Sequence, residues 1–199
     1  MSRPINIAVF FSGKGSNFES ILNAIRDNRL KAKVTLAISN NPEAGGLEVA
    51  RANDIPGVVM ERGHYSSGEE FGSAMLARLQ ENQVDIIALA GYLRKIPPQV
   101  TRAYPQRIVN IHPALLPKFG GKGMYGHFVH EAVIQAGEKE SGATVHYVDE
   151  IYDNGDIIRQ EKLTILPGET AESLSARVLE IEHRLYPEVL QQLVSQIEV

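Results

Sequence analysis

The sequence predicts an α/β protein, a three-layer αβα arrangement around a mostly parallel, Rossmann-like central sheet. Three observations predict it. Residues 5–11 read Ile-Asn-Ile-Ala-Val-Phe-Phe, a nearly continuous apolar run of the kind a parallel strand covered on both faces requires. Strand-like and helix-like patterns then alternate with short connections, which argues for βαβ units on a right-handed parallel sheet. Between the first strand and the first helix lies Ser12-Gly13-Lys14-Gly15-Ser16-Asn17, a glycine turn at a strand's carboxyl end, where open α/β sheets bind ligands.

The elements follow in order. Phe18, Ile21, Leu22 and Ile25 recur at helical spacing and predict a first helix running to about Arg29. A strand over 34–39, a helix over 46–53, a strand over 57–61, a helix over 67–82 and a strand over 85–90 come next. Pro97 and Pro98 punctuate the chain before a short helix over 98–104. Residues 108–111 read as a buried strand, after which Pro113 and Pro117 forbid continuation. A loop with glycines at 120, 121, 123 and 126 leads to a helix over 127–136. Strands over 142–148 and 156–165 flank an acidic loop, and 170–198 is mostly helix, capped by Thr170 and interrupted or kinked at Pro187.

Composition excludes several classes of function. The 199 residues, 43% hydrophobic, suffice for one well-buried core. The chain has no cysteine, which removes disulfides, thiolate nucleophiles and cysteine-held metals. A net charge of -4 gives no general basic surface for nucleic acid, and no apolar run approaches membrane-spanning length. None of the six histidines shows metal-protease spacing; His127 and His130 are expected on an exposed helix face, and His183 as a satisfied helix histidine. The expected protein is cytoplasmic and acts on small molecules; its histidines could still bind a metal, although no metal is expected.

Asn110 and His112 are the first candidates for chemistry, because they sit two apart on one side of a strand that the following proline stops. Gly15, Ser16 and Asn17 would aim backbone N–H groups at an anion at a helix N-terminus, although the same turn also serves as a mere tight connection. A dinucleotide fingerprint fails at Phe18, and no Walker loop is present. Tyr92 and Arg94 could hold a planar, carboxylate-bearing ligand, or belong to a solvated loop.

Four ordered motifs carry a family resemblance: Ser12 to Asn17, Ala90-Gly91-Tyr92-Leu93-Arg94, Asn110-Ile111-His112-Pro113-Ala114-Leu115-Leu116-Pro117-Lys118, and Asp153-Asn154-Gly155. From Ile5 to about Glu188 the chain resembles the folate-dependent phosphoribosylglycinamide formyltransferases. The resemblance implies a single formyltransferase domain, 1–199, with a phosphate-binding half over 1–105 and a catalytic, folate-binding half over 106–199, the last strands partly antiparallel. It implies that Asn110, His112 and Asp153 form a catalytic triad, with a protonated His112. Gly15, Ser16, Asn17 and Glu182 would hold glycinamide ribonucleotide, and Leu93, Arg94, Ile96, Val148, Asp149 and Glu150 the co-substrate 10-formyltetrahydrofolate. The chain departs from the family pattern in the insert at 120–126, at Asp156, where many members have proline, and at Leu179, where some have a phosphate contact. A monomer or homodimer is expected, and a cis Leu116–Pro117 bond.

Methionyl-tRNA formyltransferase and formyltetrahydrofolate deformylase share the Asn-x-His and Leu-Leu-Pro elements but are expected to carry an additional C-terminal or N-terminal domain, for which the positions of the first strand and last helix leave little room. A non-catalytic nucleotide-binding module would leave Asn110, His112 and Asp153 structural.

Overall fold

The computed structural model describes residues 3–197. Seven strands form one sheet: β1 (Ile5–Phe11), β2 (Ala32–Ser39), β3 (Gly57–Val59), β4 (Ile86–Leu89), β5 (Ile108–His112), β6 (Glu140–Tyr147) and β7 (Ile157–Thr164). Their order is β3-β2-β1-β4-β5-β6-β7. Strands β1 to β5 pair in parallel, whereas β6 and β7 run antiparallel to their neighbours, as the resemblance implied. Chain progression reverses across the sheet between β1 and β4, and this switch point opens the crevice in which ligands of such sheets bind.

Six helices cover the two faces: α1 (Ser16–Arg26), α2 (Gly46–Ala52), α3 (Gly68–Glu81), α4 (Pro98–Ala103), α5 (His127–Gln135) and α6 (Ala171–Val194). One buried core joins Ile7, Val9, Val109 and Ile111 of the sheet to Phe18 and Ile21 of α1 and to Val178, Leu185 and Val189 of α6. The other joins Phe10, Ile38 and Ile87 to Phe71, Met75 and Leu79 of α3 and Val100 of α4. Alternate residues of one strand enter opposite cores, which is why the central strands read as continuous apolar runs.

Boundaries moved where pairing overrides local pattern. β3 stops at Val59 because it meets only Ala37, Ile38 and Ser39 of β2, and a single 3-10 turn, Arg62–His64, follows. β5 extends to His112, which pairs with Thr144 of β6. The interruption expected at Pro187 does not occur. α6 is continuous from Ala171, with Pro187 buried inside it and flanked by fully buried Tyr186 and Val189. Packing on the sheet offsets the lost hydrogen bond to residue 183. α6 ends at Val194; the expected end at residue 198, like Met1 and Ser2, lies outside the described residues. No helix among the described residues is long and apolar enough to cross a membrane.

Candidate active site

Three turns at the carboxyl ends of β1, β2 and β4 are tied together by Ser12. Its N–H donates to the Gly91 carbonyl at 3.0 Å, its hydroxyl accepts from the Leu93 N–H at 2.8 Å, and the same hydroxyl donates to the Asn40 side chain. Gly15 then turns the chain into α1 with φ +87, where a Cβ would lie 2.7 Å from the Gly46 Cα. Only glycine meets both demands. No side chain caps α1, so the N–H groups of its first turn are free to meet an anion, with the helix dipole behind them.

On the other side of the crevice, β5 and β6 pair so that Asn110 lies opposite His146 and His112 opposite Thr144. The Asn110 Nδ2 is 3.1 Å from His146 Nε2 and 3.4 Å from Asp153 Oδ1. His146 fixes its tautomer by donating from Nδ1 to the Tyr147 carbonyl at 2.8 Å. His112 Nδ1 is 3.7 Å from Asp153 Oδ2, and its Nε2–H donates to the Phe119 carbonyl at 2.8 Å. Asp153 also accepts from the Gly121 N–H at 2.9 Å. Phe119 and Asp153 both hold left-handed backbone, φ +57 and +53, a strain that clusters at sites of this kind. The Leu116–Pro117 bond leading into the loop is cis, as expected.

Burial and charge set the protonation states. Burial raises the Asp153 carboxyl, but the His146 ring 3.6 Å away, the His112 ring and the Gly121 N–H outweigh it, and Asp153 lies below the usual carboxylate range. For His112 the balance is reversed: burial lowers the imidazole more than Asp153 and the Phe119 carbonyl raise it. Burial thus opposes the protonated His112 that the carboxylate favours, and Nε2–H donates to the Phe119 carbonyl in either state.

These groups open into a cavity of about 660 Å³ that also receives Asn17, Leu93, Arg94, Tyr152, Leu179 and Glu182. Asn17 is buried, and its Nδ2 donates to Glu182 at 2.6 Å while its Oδ1 has no partner among the described residues. Burial pushes the Glu182 carboxyl up to about 7. Gly15 and Ser16 do not line the cavity. Arg94, Ile96, Val148 and Asp149 line a small recess of about 60 Å³ between β4, β5 and the 148–153 loop, whereas Glu150 is exposed and outside it. A second cavity of about 900 Å³ adjoins, with Arg62, Arg94, Lys95 and Arg102 in its walls.

Two histidine expectations fail. His130 is 3% exposed and lines the main cavity, with burial driving its imidazole down to about 4, because α5 turns this face inward against α6. His183 has a buried Nε2 without a partner among the described residues. The reading from sequence also missed His146. It stands in the alternating pattern of residues 142–148 on the side of Thr144, but only the antiparallel register sets it opposite Asn110. No group of three or more acidic or histidine residues among those described is placed to hold a metal ion.

The chain is similar to known proteins along nearly its whole length. The family model described as formyl transferase matches residues 5–190. A phosphoribosylglycinamide formyltransferase of Bacillus subtilis is 40% identical over 187 residues, covering 94% of this chain and 93% of that protein. The chloroplastic phosphoribosylglycinamide formyltransferase of Arabidopsis thaliana is 44% identical over 92% of this chain, which spans 63% of that protein's length. The crystal structure of glycinamide ribonucleotide transformylase 1 from Symbiobacterium toebii superimposes with a TM-score of 0.91 at 37% identity, covering 100% of this chain and 92% of that one.

Proposed function

The chain belongs to the formyl transferase family, and we propose that it transfers the formyl group of 10-formyltetrahydrofolate to the amine of glycinamide ribonucleotide, giving formylglycinamide ribonucleotide and tetrahydrofolate. The observation that carries this reading is the convergence of Asn110, His112 and Asp153 on a cavity walled by the Asn17–Glu182 pair and by Arg94.

The amine attacks the formyl carbon, whose carbonyl electrons move to oxygen, and a tetrahedral oxyanion forms. That oxygen needs donors already in position. His112 Nε2–H holds the Phe119 carbonyl oxygen at 2.8 Å, and a substrate oxyanion would take over the same bond. The Asn110 amide supplies the second donor after release of its long contact to Asp153 at 3.4 Å. Asp153, ionised at neutral pH, accepts the proton of the attacking amine. The bond from carbon to N10 then breaks, the carbonyl re-forms, and N10 leaves with the proton that Asp153 returns. No covalent enzyme intermediate is required.

For binding, the first-turn N–H groups at Gly15, Ser16 and Asn17 would meet the phosphate, and Glu182 would help hold the ribonucleotide. Leu93, Arg94, Ile96, Val148, Asp149 and Glu150 would form the folate site. The four cations of the adjoining cavity suit the carboxylates of the formyl donor. The test is loss of the formyl group from 10-formyltetrahydrofolate with and without glycinamide ribonucleotide. Acceptor-dependent loss is expected; acceptor-independent loss means hydrolysis and overturns the reading.

A further inference from the structure

Tyr92 follows β4 with its ring turned inward. The ring packs edge-on against Phe10, centroids 5.3 Å apart, and the residue is 7% exposed. Its hydroxyl oxygen is buried, yet no described backbone or side-chain group lies within hydrogen-bonding reach. A phenylalanine would make the same edge-on contact without burying a polar atom, so the packing does not account for the hydroxyl.

The position of Tyr92 suggests what does. It borders the main cavity, the basic cavity and the recess beside the 148–153 loop. Two of these three exclude Asn17 and Glu182 but contain Arg94 and Ile96. Arg94 and Tyr152 share the walls of the recess with Tyr92, on the folate side of the crevice. Burial keeps it protonated, with its ionisation pushed up to about 12.

We propose that the Tyr92 hydroxyl donates a hydrogen bond to a carbonyl oxygen or ring nitrogen of the bound formyl donor, which makes Tyr92 a specificity-determining residue for the folate co-substrate. The inference rests on the functional reading above and adds a residue to it. A site that carries a polar group for one partner discriminates against ligands that leave the group unpaired.

Tyr92→Phe in the full chain tests it, with tetrahydrofolate titrated calorimetrically and KM measured separately for each substrate. The expected result is a roughly five- to tenfold weaker tetrahydrofolate Kd and a matching rise in the 10-formyltetrahydrofolate KM, the size of one neutral hydrogen bond. The ribonucleotide KM should hold, and the thermal midpoint should stay level or rise, since an unpaired buried hydroxyl has been removed. If wild type binds tetrahydrofolate and the variant binds it equally well, this inference fails while the functional reading stands. A lowered thermal midpoint with equal loss for both substrates makes Tyr92 structural and also overturns it. If wild type binds no tetrahydrofolate, the functional reading fails and takes the inference with it.

Discussion

Asn17 and Glu182 meet through a 2.6 Å hydrogen bond that joins the first turn of α1 to the middle of α6. A neutral amide is a weak partner for a carboxylate that is 7% exposed, and burial raises that carboxyl to about 7. Between about pH 4.5 and pH 7 the folded state keeps a proton that the unfolded chain releases, so this group's contribution to stability falls as pH rises through that window, by about 3 kcal/mol in all. His130 acts in the opposite sense. Its folded value near 4 lies below the unfolded one, so its contribution rises with pH toward 6.5. Glu182→Gln removes only the first effect. Urea unfolding at pH 5 and pH 8 should find the variant gaining on wild type at the higher pH; an equal difference at both values contradicts the assignment.

The hydroxyl of Tyr186 is fully buried and lies 3.0 Å from the carbonyl oxygens of both Leu89 and Val109, sharing one hydrogen between β4 and β5. Tyr186→Phe should lower stability by about 1–2 kcal/mol and leave kcat and both KM values unchanged. A change in kcat without a change in stability would mean that the carboxyl ends of these strands respond to α6 in a way the hydrogen bonds do not explain.

Gly15 combines a left-handed backbone with a 2.7 Å approach to the Gly46 Cα. Gly15→Ala must shift the turn, at a cost of about 1–3 kcal/mol, and with it the N–H groups that would hold phosphate. Titrations should show glycinamide ribonucleotide binding weakened by roughly tenfold or more and tetrahydrofolate binding retained. Equal loss of both would move the phosphate site elsewhere.

The central strands were legible because burial on both faces leaves a continuous apolar signature, as in Ile5–Phe11, and this needs no knowledge of partners. Asn110 and His112 were legible for a related reason, being polar side chains on one side of a buried strand that proline stops. His146 was not, because its place opposite Asn110 depends on the β5–β6 register, which local pattern does not encode. His130 was misread because the spacing of two histidines says nothing about which helix face packs. The burial of His112, which opposes the effect of the neighbouring carboxylate on its ring, was not legible either, because it depends on the loop that folds over β5. Pro187 does not interrupt α6, because a helix-breaking tendency of a few kcal/mol is smaller than the packing of Leu185, Tyr186 and Val189 around it.

His112→Ala removes the donor that holds the Phe119 carbonyl. kcat should fall by about two orders of magnitude, the cost of one oxyanion donor, with the circular dichroism spectrum of the folded chain retained. Near-normal turnover would remove His112 from the chemistry.

Among the described residues, Asp153 is the one carboxylate that meets His112, His146 and Asn110 together. Asp153→Asn keeps the shape of the side chain and abolishes its capacity to take the amine's proton. The decisive measurement is single-turnover formyl transfer by this variant, with both substrates bound at saturation as established by separate titrations. A fall in the transfer rate of about a hundredfold or more, with both affinities close to wild type, is the predicted result. Transfer at the wild-type rate would contradict a proton-accepting role for Asp153 and the catalytic site built around it.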